Sequence, residues 1–202
     1  MGKLIGICGL EGSSKTLSVS TIESVAKEKG IDYLVVRMPG GTPLGEYLRE
    51  AHKRNWDEII SADTELLLMF ASFVQLYRNV IEPALEQGKT VITDRFWACT
   101  YAYQIYPNPS LKKLFMSLKN DLISKTPHDH ILFLDVKPLI GIQRAKARGA
   151  LDRIEQRDIT FFETARQGYL SLPDIKRMDI IDTNRTLDDV QNDVRKWAYN
   201  TL

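Results

Sequence analysis

The chain has 202 residues, 44% of them hydrophobic, with 27 basic side chains against 26 acidic ones. That composition supplies one sizeable core and leaves little length for a second domain, so residues 1–202 are expected to form a single unit. A net charge of +1 lacks the basic excess of a nucleic-acid binder, and no apolar run reaches the ~18 residues of a membrane span. No charged-then-apolar leader opens the sequence. Cys8 and Cys99 are too few for a disulfide framework, and with His52, His128 and His130 they form no metal-ligand spacing. These features predict a soluble, cytoplasmic protein with no nucleic-acid or membrane partner.

Five short apolar runs punctuate the chain, at residues 4–8, 33–37, 90–93, 130–136 and 178–181. Their near-continuous Val, Ile and Leu content predicts strands buried on both faces, as in a parallel sheet. Between them lie amphipathic segments. One covers residues 17–29 before Gly30, a second covers 63–87 before Gly88, and a third covers 187–198. Pro83 inside the long central segment predicts a kink near Asn79 or Val80, because proline has no N–H for the helical ladder. Strand and helix alternate throughout, which specifies an α/β fold: a doubly wound, five-stranded parallel sheet with helices on both faces. Ligands of such folds bind beyond the carboxyl ends of the strands.

The first strand runs into Gly9-Leu10-Glu11-Gly12-Ser13-Ser14-Lys15-Thr16. A strand, a glycine-rich turn ending in Lys-Thr and then a helix make a cradle for nucleotide phosphates. Backbone N–H groups and the positive helix end face one anion, Lys15 adds a mobile charge, and Thr16 offers a hydroxyl to Mg²⁺. Ser14 stands where a second glycine is expected; if its φ is positive it costs about 1–2 kcal/mol. After the second strand comes Arg37-Met38-Pro39-Gly40-Gly41-Thr42, where Arg37 is either a phosphate clamp or a surface arginine on a turn. Asp94-Arg95 follows the third strand. Asp94 there suits Mg²⁺ and its waters, and Arg95 is a second clamp or the partner of Asp94. The arginine-rich stretch 144–153 reads as a solvated helix face or, past Gly149, as a lid over residues 146–157 that carries Arg153 onto the transferring phosphoryl group.

These pieces, in this order, resemble the thymidylate kinase family in its bacterial form, over nearly the whole chain. The matching patterns are the cradle with an acidic third residue, Arg-x-Pro-Gly-Gly-Thr, Glu65-Leu66-Leu67-Leu68, Asp94-Arg95, Thr100-Tyr101-Ala102-Tyr103-Gln104 and Ala147-Arg148-Gly149 with Asp152-Arg153-Ile154-Glu155. The resemblance implies a P-loop nucleoside-monophosphate-kinase fold, transfer of the γ-phosphoryl of ATP to dTMP, and a homodimer. It implies that Gly9, Gly12, Ser13, Ser14, Lys15 and Thr16 hold ATP, that Thr16 and Asp94 hold Mg²⁺, and that Arg148 and Thr183 border adenine. Catalysis would rest on Lys15, Arg153, Arg95 and Glu11. The acceptor would meet Glu11, Arg37, Phe70, Phe73, Arg95, Thr100, Tyr103 and Gln104, with Phe70 stacking on the base and Tyr103 crowding a 2′-hydroxyl.

Departures from the family pattern gather around the base. Met38 replaces a glutamate and Cys99 a serine; an ungapped match puts Met69 at the stacking position and Phe73 where a base-reading arginine belongs. Phe73 either lines the base pocket or packs in the core, and Arg78 lies farther along the same helix. One lost hydrogen bond to a charged donor is worth about 1.5–3 kcal/mol, so relaxed base choice or another deoxynucleotide acceptor is the alternative reading. More distant are a nucleoside kinase, for which Arg37 and Arg95 would have no phosphate to hold, and a P-loop switch.

Overall fold

The computed structural model describes residues 2–123, 130–172 and 178–202, so His128 lies outside the described residues. Five parallel strands form one sheet in the order β2-β3-β1-β4-β5. They are β1 (Leu4–Gly9), β2 (Tyr33–Arg37), β3 (Thr90–Asp94), β4 (His130–Asp135) and β5 (Met178–Asp182). Each coincides with an apolar run of the sequence. The ladders, however, carry β1, β3 and β5 one residue further, because backbone pairing such as Gly9 opposite Leu134 needs no apolar side chain.

Alternate strand residues face opposite layers. Ile5, Ile7, Ile92, Leu132 and Leu134 pack with Val19, Ile22 and Val25 of α1 (Lys15–Glu28) and with Val190, Val194 and Ala198 of α9 (Leu187–Thr201). Leu4, Cys8, Val91, Ile131 and Phe133 face the other way. They meet a thicker layer built from α3 (Ala62–Leu76), α4 (Glu82–Glu86), α5 (Trp97–Thr100), α6 (Lys112–Ile123) and α8 (Ile159–Leu170). Burial of both faces explains why the strands read as unbroken apolar runs rather than alternating ones.

The central helical segment is broken as Pro83 demands. After α3 the chain widens into a π-helical turn, Tyr77–Ile81, and resumes as α4. Pro83 cannot donate to the carbonyl of Asn79. Asn79 itself donates from Nδ2 to the Gln75 carbonyl at 2.8 Å. A second π-helical turn, Tyr101–Ile105, follows α5 and turns Tyr103 and Gln104 toward the strand ends.

The remaining helices frame the site. α2 (Pro43–Lys53) starts at Thr42, whose hydroxyl accepts from Gly45 N, and α7 (Pro138–Arg148) ends at Gly149, where φ is 144°. The register places Arg37 opposite Asp94 and Ile7 opposite Asp94, so the carboxyl ends of β1, β2 and β3 form one rim. Among the described residues, no helix is long and apolar enough to cross a membrane.

Candidate active site

The turn after β1 is shaped for an anion. Gly12 adopts φ 71° and Ser14 φ 65°, both left-handed, and α1 begins at Lys15. Gly12 is obligatory for a second reason: a Cβ there would sit 2.2 Å from the Gly141 carbonyl oxygen of α7. Lys15 folds back over the turn, donating from Nζ to the carbonyls of Gly9 (3.0 Å) and Leu10 (2.6 Å). Burial, reinforced by Arg95, pushes the Lys15 ammonium down to about 8. An incoming phosphate would reverse that shift by supplying the missing counter-charge.

Beyond the cradle lies a cavity of about 710 Å³. It is bordered by residues 11–17 and by seven cationic side chains: Lys15, Arg37, Arg49, Lys53, Arg95, Arg144 and Arg148. Four carboxylates, Glu11, Asp94, Asp152 and Glu155, oppose them. A chain of net charge +1 thus concentrates positive potential at one place, which is what a polyphosphate needs. Asp94 borders this cavity with Thr16, and its Oδ1 is buried without a partner. A hydroxyl and a carboxylate beside phosphate oxygens suit Mg²⁺, which takes few protein ligands and keeps several waters. Among the described residues no cluster of three or more His, Cys, Asp or Glu suits a metal held by protein alone.

A second, narrower cavity of about 70 Å³ continues from the first. Glu11, Arg49, Lys53, Arg95 and Asp152 border both. At the junction Arg95 donates to Glu11 Oε1 at 2.6 Å, and the Tyr103 hydroxyl donates to Glu11 Oε2 at 2.5 Å. Burial raises the Glu11 carboxyl, but Arg95, Lys15 and the Tyr103 bond outweigh it, and the net shift is downward. Glu11 is therefore an anion flanked by cations. A volume this small is below the 300–1,000 Å³ of an ordinary ligand pocket, so the wall must yield to admit a nucleoside.

Glu11, Gly12, Ser13, Ser14, Lys15, Thr16, Arg37, Asp94, Arg95 and Arg148 border the phosphate cavity, Tyr103 and Gln104 border the narrow one, and Gly9 lines neither but holds Lys15 through its carbonyl. Arg37 is already paired, both Glu46 oxygens lying within 3.1 Å of its Nη2. Thr183 is fully buried, with its hydroxyl on the Asp135 carbonyl, and borders a cleft of about 270 Å³ shared with Ser14, Arg144, Arg185 and Leu187.

Of the aromatic residues expected at the base, neither Phe70 nor Phe73 borders the narrow cavity. Phe70 packs edge-on to Phe115 and Phe73 edge-on to Phe96, both inside the core layer. Along α3 it is Met69 that reaches the narrow cavity. Phe70, Phe73 and Thr100 instead close a tight cleft with Met38, Met69 and Trp97. Helical spacing decides this: residues one apart point about 100° from each other, so with Met69 on the cavity Phe70 turns into the core layer. Arg78 pairs with Glu82 on the helix surface and does not replace the missing arginine.

Arg153 also departs from expectation. Its Nη1 donates to Glu65 Oε1 at 2.6 Å, while Nε and Nη2 donate to the His52 carbonyl at 3.0 and 2.8 Å. It does not border the phosphate cavity. Glu65 is only 5% exposed, and a carboxylate so buried must be paired, so it draws in Arg153 and, at 3.0 Å, Arg157. Lys53 adds a bridge to Asp152 at 3.1 Å. Arg148, by contrast, borders the phosphate cavity and pairs with Glu155.

Sequence reading missed Arg49, His52, Lys53 and Arg144. Glu46, Arg49 and Lys53 follow an i, i+3, i+7 spacing that puts them on one face of α2, a signal the chain offered. Arg144 was visible within the basic stretch, but its role was not. It bridges the cradle to the turn after β5, donating to the carbonyls of Gly12 (3.3 Å) and Thr183 (2.9 Å).

The comparisons with known proteins agree with this geometry. The family model described as thymidylate kinase matches residues 7–194. The chain belongs to the thymidylate kinase family. Curated thymidylate kinases are similar along nearly their full lengths. That of Pseudoalteromonas translucida is 42% identical over 193 residues, covering 95% of this chain and 93% of the relative. That of Idiomarina loihiensis is 41% identical over 197 residues, covering 96% and 95%. The thymidylate kinase of Alteromonas mediterranea is 38% identical over 194 residues, covering 96% and 87%. The thymidylate kinase family therefore accounts for the sheet, the cradle and the cationic rim together.

Proposed function

We propose that the protein transfers the γ-phosphoryl group of ATP to dTMP. The carrying observation is that five residues, Glu11, Arg49, Lys53, Arg95 and Asp152, border both the phosphate cavity and the narrow one. Two nucleotides seated in them would meet phosphate to phosphate. The cradle and Lys15 hold the donor; Arg49 and Arg95, with Arg37, hold the acceptor phosphate. Glu11 orients Arg95 and keeps Tyr103 against the acceptor sugar, where it crowds a 2′-hydroxyl. Adenine lies toward the cleft bordered by Thr183 and Arg144.

An ionised acceptor phosphate is already nucleophilic, so positioning and charge stabilisation suffice without a strong general base. Thr16 and Asp94 would hold Mg²⁺, which when bound neutralises charge on the donor phosphates. Arg148, rather than Arg153, is the arginine suited to the transferring group, since it borders the phosphate cavity with an exposed side chain. Arg153 serves as a strut that fixes residues 149–158 against α2 and α3. A homodimer is supported by exposed apolar side chains on α2 (Leu44, Tyr47), on α3 (Leu67) and on the segment joining them (Ile59).

A second reading has an observation of its own. With Phe73 in the core and Met69 on the cavity wall, the base meets no guanidinium on α3, which favours a looser choice among deoxynucleoside monophosphates. Coupled-assay turnover with ATP, Mg²⁺ and each of dTMP, dUMP, dCMP, dGMP and dAMP tests both readings. The expected result is acceptor-dependent ADP release, greatest with dTMP. ATP consumption unaffected by any acceptor would overturn the kinase reading.

A further inference from the structure

We propose that His52 reads the edge of the acceptor base, standing in for the arginine that α3 lacks; this rests on the dTMP-kinase reading above. The narrow cavity has two unlike ends. The end shared with the phosphate cavity is charged, and the residues not shared with it are Pro39, His52, Met69, Cys99, Tyr103, Gln104 and Ile154. A base belongs at that second, largely apolar end. Only a few side chains there can hydrogen-bond, and the Tyr103 hydroxyl is already committed to Glu11.

Among the side chains that line this cavity, two buried atoms have no partner among the described residues, His52 Nδ1 and Gln104 Oε1. His52 is 8% exposed and Gln104 3%. Buried polar atoms are almost always satisfied, so two orphans on residues lining one cavity mark a place where a ligand completes the bonding once the wall yields to admit it. Their chemistry matches a pyrimidine edge. Neutral imidazole carries one N–H and one lone pair, and a primary amide carries both as well, against the carbonyls and N3–H of thymine. The backbone that carries the ring is anchored: the His52 carbonyl takes two bonds from Arg153, which is itself paired with Glu65.

The imidazole is neutral at pH 7, because burial pushes it down to about 4, with Glu65 opposing and Arg153 and Arg95 assisting. A neutral ring can donate or accept by changing tautomer. It thus tells a carbonyl from an exocyclic amine less sharply than a guanidinium does, and a modest preference for dTMP over dCMP follows.

The test compares His52→Leu and His52→Gln with the wild-type enzyme for dTMP and ATP kinetics. His52→Leu is expected to raise the KM for dTMP tenfold or more, with kcat within threefold and the KM for ATP unchanged. His52→Gln, which keeps a donor and an acceptor, should return the dTMP KM to within threefold of wild type. An unchanged dTMP KM in His52→Leu, or equal impairment in both variants, would overturn the assignment. In wild-type protein with ¹⁵N-labelled histidine, the His52 Nδ1 resonance should move on adding dTMP and stay put with ATP alone; a stationary signal at saturating dTMP also overturns it. Wild-type enzyme that turns over dTMP while either result fails removes His52 alone. Enzyme that turns over no deoxynucleotide removes the kinase reading instead.

Discussion

Ser14 shows how a single backbone angle can be anticipated. Its φ of 65° is in the left-handed region, where a side chain costs about 1–2 kcal/mol, and no side-chain cap bond offsets that cost. Ser14→Gly relieves the strain but frees the unfolded chain, so a net gain of about 0.5–1 kcal/mol in chemical denaturation is expected. Lys15 makes a pH prediction. Its pKa near 8 in the folded protein, against 10.5 unfolded, means that between those values the unfolded chain holds a proton the folded chain has released. The sign follows: Lys15 destabilises the fold below pH 8, and that penalty fades as pH rises through the window. Its activity runs the other way. Because ATP needs the charged ammonium, kcat/KM for ATP should fall about tenfold per pH unit above roughly pH 8. A flat profile from pH 7 to 9.5 would contradict this assignment.

At the level of elements, the strands were legible because burial on both faces leaves uninterrupted apolar runs, and the kink was legible because Pro83 lacks one N–H. Residues 149–158 were not. The partner that decides the place of Arg153 is Glu65, 88 positions away, and nothing local to either residue announces the pair. The sequence assigns Arg153 to the transferring group and Arg148 to adenine; the buried carboxylate of Glu65 draws Arg153 away and leaves Arg148 beside the phosphate cavity. Arg148→Ala is therefore expected to lower kcat by about 10²–10³, the loss typical of one transition-state donor. Arg153→Ala should instead cost about 1.5–3 kcal/mol of stability, as for a charged hydrogen bond lost from a half-buried site. Steady-state kinetics alongside urea unfolding distinguishes the two. A collapse of kcat in Arg153→Ala without loss of stability would reverse the assignment.

Across the whole molecule, the fold class and the phosphate end of the site could be read from motifs, because glycine turns and strand-end charges are local in sequence. The base end could not. Its wall draws on α2, α3, the turn after α5 and the segment after α7, and helical rotation rather than composition selects Met69 over Phe70. What unites these elements is a cationic basin spanning two cavities that share five residues. The most direct measurement of that idea is the affinity of adenosine and thymidine joined 5′ to 5′ by five phosphates. If both halves seat at once, linking them makes the second binding event intramolecular, and the conjugate should bind at least 100-fold more tightly than ATP or dTMP alone. Calorimetry giving a Kd no lower than that of ATP would contradict the account.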